Sequence, residues 1–323
     1  MQRINGGMIV GRIPVIIDTD PGHDDAIALM LAVSSGFLDI RGITVSAGNS
    51  TIDNTSRNAL SILEHIGCGA KVFKGAERPM LSLLKPSKEI HGGDGLSGTT
   101  VKEPAGYAET INAVQFLEDE VKLSEEKITI IALGPLTNIA AFILAAPELK
   151  HRISEIFMMG GAVFGGNRTP AAEFNVWQDP EAAHIVFESG IPIVMCGLDV
   201  TRKCGMLEKD IERIKGSRGK ACILASEIID FFGNSTGNRE VIFHDAVAVT
   251  RVLRPELFRS SDYNVVIDLD GRYTRGCTVV DTIGISGGRI NAEVVLDADR
   301  EGVSSFIAES LLRIDGETGR VSC

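Results

Sequence analysis

The stretch "VIIDTDPGHDDAIAL", residues 15–29, decides the reading of this chain. An apolar, β-branched run ends at Asp18, and Asp18, Asp20, Asp24 and Asp25 then fall within eight residues. The run "IPVIID" (13–18) predicts a strand, and "DDAIALMLAVSS" (24–35) predicts a helix. Asp20 is expected near the N-cap with Pro21 beside it, and Asp24 and Asp25 in or near the first turn, where the helix dipole favours negative charge. Capping accounts for any one of these aspartates but not for all of them. Carboxylates crowded at the end of a strand raise one another's pKa unless something positive sits among them. No lysine or arginine is interleaved here. A hard divalent cation would resolve the conflict. Oxygen-only donors select Ca²⁺ or Mg²⁺ over Zn²⁺, and no cysteine or second histidine accompanies the cluster locally.

Outward from this stretch the pattern alternates. Strand-like runs at 40–48, 70–75, 127–134, 154–161 and 191–199 are interleaved with helical runs at 53–67, 109–122, 135–146 and 179–189. Such alternation implies βαβ units: an α/β fold, Rossmann-like, with a mostly parallel open sheet and helices on both faces. Residues 76–108 and 160–178 break the pattern as long Gly- and Pro-containing segments after predicted strands, where α/β proteins build their sites. One domain over 13–323 is expected, after a short N-terminal extension at 1–12.

The bulk properties exclude several classes. The net charge is −11, and no Lys/Arg block appears, so phosphate-dependent binding of nucleic acid is not expected. No apolar run approaches the ~20 residues of a membrane span. The N-terminus "MQRINGGMIVGR" lacks the apolar core of a secretory signal. The scattered cysteines, none in a C-x-x-C pair, read as thiols of a reducing compartment, and a cytoplasmic location is the expectation.

A strand followed by D-x-D also begins the haloacid-dehalogenase-like phosphatases. Those continue with Gly-Thr or Gly-Val, whereas this chain continues Pro-Gly-His-Asp-Asp. The whole stretch instead resembles the signature of the inosine-uridine-preferring nucleoside hydrolases, calcium-dependent N-ribohydrolases. "SAGNSTIDNTSRNAL" (46–60), "IHGGDGLSG" (90–98), "ALGPLTNIA" (132–140), "MGGAVFGGNRTPAAEFNVWQDPEAA" (159–183) and "FHDAVAV" (243–249) match further blocks of that family, in its order. Together they span most of the chain.

The resemblance implies an enzyme of purine or pyrimidine salvage that splits ribonucleosides into base and ribose. It implies Ca²⁺ held by Asp20, Asp25, Asp245 and the backbone carbonyl of Leu133. Asp20 would also be the general base that takes a proton from the attacking water. Asp24 and Asn49 would contact the ribose, as would Met159, Asn167, Glu173 and Asn175, with Asn167 and Glu173 at the 5′-hydroxyl. His244 would protonate the departing base, and His91 would border the site from its Gly-rich loop. Asp18 would support the structure, and no role is assigned to His23. Trp177 is either a wall of the site or a packing residue. The family also implies a homodimer or homotetramer.

The match thins before His244, in "SEIIDFFGNSTGNREVIF" (226–243). Some family members place a tyrosine here that assists the leaving group, whereas this chain has Phe231 and Phe232. A phenyl ring can stack on a base but cannot donate a proton. Asn234, Asn238 and Arg239 are candidates for reading base edges. The choice between purine and pyrimidine stays open at this point. So does a second class of function, a non-catalytic nucleoside- or ribose-binding protein that keeps the metal cluster as a structural element.

Overall fold

The computed structural model describes residues 11–235 and 240–316. Ten strands are present among them: β1 (Ile13–Thr19), β2 (Leu38–Val45), β3 (Val72–Lys74), β4 (Ile128–Ala132), β5 (Ile153–Met159), β6 (Ile193–Cys196), β7 (Phe258–Tyr263), β8 (Val265–Ile267), β9 (Thr278–Val280) and β10 (Ala292–Ala298). The helices are α1 (His23–Ser34), α2 (Ile52–Ile66), α3 (Lys88–His91), α4 (Ala113–Leu123), α5 (Thr137–Ala145), α6 (Phe174–Gln178), α7 (Pro180–Phe187), α8 (Leu198–Thr201), α9 (Glu208–Gly216), α10 (Lys220–Ser235), α11 (His244–Leu253) and α12 (Arg300–Gly316).

The main sheet has 8 strands in the order β3-β2-β1-β4-β5-β6-β10-β7. All neighbours pair in parallel except β7, which runs antiparallel to β10 along the edge. The strands β8 and β9 form a separate two-stranded ribbon. The mostly parallel α/β sheet expected from the alternation is therefore present.

Strand alternation splits the core between the two faces. Val15, Ile17, Ile43, Phe157 and Val194 pack with α1, α10, α11 and α12 on one side. Ile16, Ile130, Ile156 and Ile193 pack with α4, α5 and α7 on the other. The central strands β1, β4 and β6 are covered on both faces and read as nearly continuous apolar runs, whereas the edge strand β7 is polar and largely exposed.

The direction of winding reverses between β1 and β4, which are direct neighbours although far apart in sequence. Side chains beyond the carboxyl ends of these strands face a crevice, the usual ligand position in such sheets. Asp18 and Asp20 leave β1 at this point, and Leu133 leaves β4.

Three local expectations need correction. The N-cap of α1 is Gly22, not Asp20, because Asp25 supplies the capping carboxylate by accepting from Gly22 N–H at 2.9 Å. Asp20 is thereby left outside the helix and available to the crevice. The segments 76–108 and 160–178 are not wholly irregular, since they contain α3 and α6. Finally, Cys196, Cys204, Cys222 and Cys277 are free thiols, whereas Cys68 is disulfide-bonded. The side chain of Asn234, together with Asn238 and Arg239, lies outside the described residues, as does most of the 1–12 extension. No helix among the described residues is long and apolar enough to cross a membrane.

Candidate active site

At the crevice, Asp18, Asp20 and Asp25 are fully or almost fully buried. Asp18 is a brace. It accepts from Thr44 Oγ1 on β2 at 2.5 Å and from Asn138 Nδ2 on α5 at 2.8 Å. Burial pushes its carboxyl up to about 7. Asn138 in turn accepts from Ala76 N at 2.8 Å, which ties the loop after β3 to the same point.

Asp20 accepts from Asn49 N at 2.6 Å through Oδ2, while Oδ1 is buried without a hydrogen-bond partner. Burial first, and Asp25 second, hold its carboxyl well above the usual carboxylate range. Its place is kept clear by two glycines. A Cβ on Gly48 would stand 2.1 Å from Oδ2, and one on Gly134 would stand 2.4 Å from Oδ1. Nothing in the motif reading pointed to these glycines.

Asp25 is held by Thr19 Oγ1, by Gly22 N at 2.9 Å and by Asn49 Nδ2 at 3.1 Å. Asp24 leaves Oδ1 without a hydrogen-bond partner. Asp245 enters from the first turn of α11. Oxygens of Asp24, Asp25 and Asp245 all lie within 4.8 Å of one another. Burial raises the pKa of each of the three, and for Asp245 the neighbouring aspartates add to it. No lysine or arginine pairs with any of them among the described residues. The nearest basic group is His91, whose Nε2 is 4.0 Å from Asp24 Oδ1. Clustered carboxylates with orphaned oxygens and no organic cation are the donor set of a hard metal ion. The geometric triad contains Asp24 where the family resemblance implies Asp20. Asp20 is outside this triad, and Asp25 and Asp24 help to raise its pKa.

A cavity of about 480 Å³ opens over this cluster. Every residue expected at the site lines it except Asp20 and Asp25, which are buried. Asn175, on α6, donates from Nδ2 to the carbonyl oxygens of Leu133 at 2.7 Å and Met159 at 3.1 Å. Glu173 is the N-cap of α6 and is 2% exposed. It accepts from Gly161 N and Asn175 N, both at 2.9 Å, and from Val176 N at 3.2 Å. Asn167 is less constrained and accepts from Phe174 N at 2.8 Å.

Two histidines reach the cavity from opposite sides. His244 begins α11, and its Nδ1 is 2.8 Å from Thr201 Oγ1, leaving Nε2 as the nitrogen available to a ligand. Burial, with Arg202 and His91 adding to it, lowers its pKa to about 4. His91 ends α3, and its Nδ1 is 3.2 Å from Nδ1 of His23. His23 Nε2 is 3.0 Å from the Ser97 carbonyl, which can only accept. A neutral His23 therefore carries its proton on Nε2 and offers Nδ1 as an acceptor. His91 Nδ1 also accepts from His23 N–H at 3.3 Å, and its Nε2 faces Asp24 Oδ1 at 4.0 Å.

The sequence reading did not foresee several lining groups: Arg168, Glu240, Ile242 and the pair Ser87 and Glu89. Phe232 lines the cavity, while Phe231 stacks on His23 at 4.4 Å behind it. Trp177 does not line this cavity.

Comparison with known proteins gives a consistent result. Residues 15–305 match the family model described as inosine-uridine preferring nucleoside hydrolase. The chain is 42% identical over 305 residues to the pyrimidine-specific ribonucleoside hydrolase RihA of Citrobacter koseri, covering 93% of this chain and 98% of that one. A purine-preferring ribonucleoside hydrolase from Gardnerella vaginalis superposes with a TM-score of 0.85 at 32% identity, covering 94% of this chain and 98% of that chain. A plant nucleoside hydrolase superposes with a TM-score of 0.87 at 30% identity, covering 93% and 98%.

Proposed function

Starting from a chain that belongs to the inosine-uridine preferring nucleoside hydrolase family and is a ribonucleoside hydrolase, we propose that it cleaves pyrimidine ribonucleosides, uridine foremost, to free base and ribose. The observation that carries the reading is the one cavity shared by Asp24 and Asp245 of the carboxylate triad, the amides of Asn49 and Asn175, and His244. The preference for a pyrimidine is supported by the 42% identity to a pyrimidine-specific relative, against 32% to a purine-preferring one.

The proposed ion is Ca²⁺, held by Asp20, Asp25, Asp245 and the Leu133 carbonyl, with Asp24 at its edge. The donor atoms fit it: all are oxygens, Asp20 Oδ1 and Asp24 Oδ1 lack partners, and the carboxylates have no organic counter-charge. When bound, such an ion lowers the pKa of water and orients the ribose hydroxyls.

Asp20 takes the proton of the attacking water through Oδ1, since Oδ2 is fixed by Asn49 N–H. Asp24 and Asn49 grip the ribose on the triad side, and Asn167, Glu173 and Asn175 do so on the α6 side. Glu173 and Asn175 are locked by backbone groups, so they meet the sugar without reorganising. A sugar lacking a hydroxyl leaves buried polar groups unpaired, which gives ribose selectivity. The carboxylates also stabilise the positive charge that develops on the sugar ring as the bond to the base breaks.

The leaving base takes its proton from His244 Nε2. For Nε2 to carry that proton, Thr201 must donate to Nδ1. His91 lines the cavity and positions substrate from the side of its Gly-rich loop. Phe232 offers a face for the base. A homodimer or homotetramer is part of the same proposal. The test is hydrolysis of uridine and inosine, followed by ultraviolet absorbance, with and without added Ca²⁺. Faster release of uracil than of hypoxanthine supports the reading, and the reverse order overturns the base preference.

A further inference from the structure

A second cavity, of about 340 Å³, is lined by Ser82, Leu83, Lys85, Trp177, Gln178 and Arg275, none of which lines the first. Its volume is at the lower end for small-molecule sites. Gln178 is 2% exposed, and both its Nε2 and its Oε1 lack a hydrogen-bond partner. A buried carboxamide that has lost its hydration and gained no bond is a costly feature, and it asks for an occupant with an acceptor and a donor side by side.

The charge of the lining points the same way. Lys85 and Arg275 are cations and no lining residue is acidic, on a chain whose net charge is −11. Lys85 Nζ sits 5.0 Å above the Trp177 ring and Arg168 Cζ sits 4.9 Å from the same ring. Arg275 donates from one terminal nitrogen to Glu181 at 2.5 Å and from the other to the Leu269 carbonyl, which holds the group in place and leaves its remaining N–H donors.

We propose that this cavity is a second ligand site, for a phosphorylated sugar. The phosphoryl group sits between Lys85 and Arg275 and accepts from Gln178 Nε2, and a sugar hydroxyl donates to Gln178 Oε1. A phosphoryl group near neutral pH offers close to two negative charges and three strong acceptor oxygens, which suit Lys85 and the remaining N–H donors of Arg275 better than a carboxylate does. The Trp177 ring forms the apolar wall against which the sugar carbons pack.

Trp177 is the only tryptophan, so intrinsic fluorescence of the full-length protein reports on this cavity directly. The protein is titrated with ribose 5-phosphate, with inorganic phosphate, with unphosphorylated ribose, and with sodium chloride at matched ionic strength. A saturable change is expected with ribose 5-phosphate, a weaker one with inorganic phosphate, and none with ribose or salt. Lys85→Glu, at an exposed position, weakens the response by about tenfold or more while uridine hydrolysis is retained. Gln178→Leu weakens it as well. The site is overturned by the absence of a saturable response, or by a response that Lys85→Glu leaves unchanged. Equal affinity for inorganic phosphate and ribose 5-phosphate overturns the role given to the sugar hydroxyl.

Discussion

His23 and His91 meet Nδ1 to Nδ1 at 3.2 Å, with His23 Nε2 at 3.0 Å from the Ser97 carbonyl behind them. His23 lies in the D-x-D-P-G-x-D-D signature at a position to which the sequence reading assigns no role. In the folded protein its ring and its backbone N–H both meet Nδ1 of a histidine that lines the cavity. Replacing His23 with Phe keeps a ring against Phe231 but removes the ring nitrogen that meets His91. A fall of about tenfold in kcat/KM is expected, the worth of one hydrogen bond. Nitrogen NMR of the His91 ring checks the cause. The His91 Nδ1 signal, from the nitrogen that faces His23 in the parent, is expected to shift in the variant.

The glycines around Asp20 give a sharper test of geometry. Gly134→Ala places a methyl 2.4 Å from Asp20 Oδ1, so the carboxylate must swing away. A displacement of about 1 Å at a reacting group costs on the order of a hundredfold in rate. We expect that loss in kcat, with a native circular dichroism spectrum. Activity within about twofold of the parent would remove Asp20 from the place given to it.

Thr201 is expected to act through His244. Thr201→Val removes the partner of Nδ1, found at 2.8 Å, without changing the shape of the side chain much. Hydrolysis of uridine should drop by about tenfold. Hydrolysis of a nitrophenyl riboside, whose leaving group departs without protonation, should not. Equal losses on both substrates would show that Thr201 supports the fold rather than the proton donor.

Away from the chemistry, Asp179 joins three segments. It accepts from Thr137 Oγ1 at 2.6 Å, from Met80 N at 2.9 Å and from Ala182 N at 3.2 Å, the last as N-cap of α7. Asp179→Ala leaves these donors unpaired, and a loss of roughly 2–3 kcal/mol is expected in urea unfolding.

Much of the site was legible because its residues sit in short, local signals. The run into Asp18 and the helix after it mark one strand-to-helix turn at the sheet's crevice, and the carboxylate crowding there has few structural explanations. "DPEAA" announced the cap and first turn of α7. What stayed hidden depends on contacts across the sheet. Gly48 and Gly134 matter only because Asp20 fills the space between them. The partnership of His23 with His91 spans 68 residues and rests on a loop carbonyl. Glu240 and Ile242 reach the cavity from a segment whose polar, Gly-containing composition predicts no element. The second cavity needs Arg275, far along the chain, to close against Trp177. Trp177 itself read as either wall or packing, and only the fold shows that it turns to this separate cavity.

The central claim is that the aspartates gather to hold a metal ion and a ribose in one cavity. Its most direct test is to strip the protein with a chelator and follow uridine hydrolysis as Ca²⁺ is added back, beside calorimetric Ca²⁺ binding to the parent and to Asp245→Asn. The account predicts that the stripped protein is inactive, that Ca²⁺ restores uracil release, and that Asp245→Asn loses both binding and activity. Undiminished hydrolysis in excess chelator, or tight Ca²⁺ binding with no release of base, would contradict it.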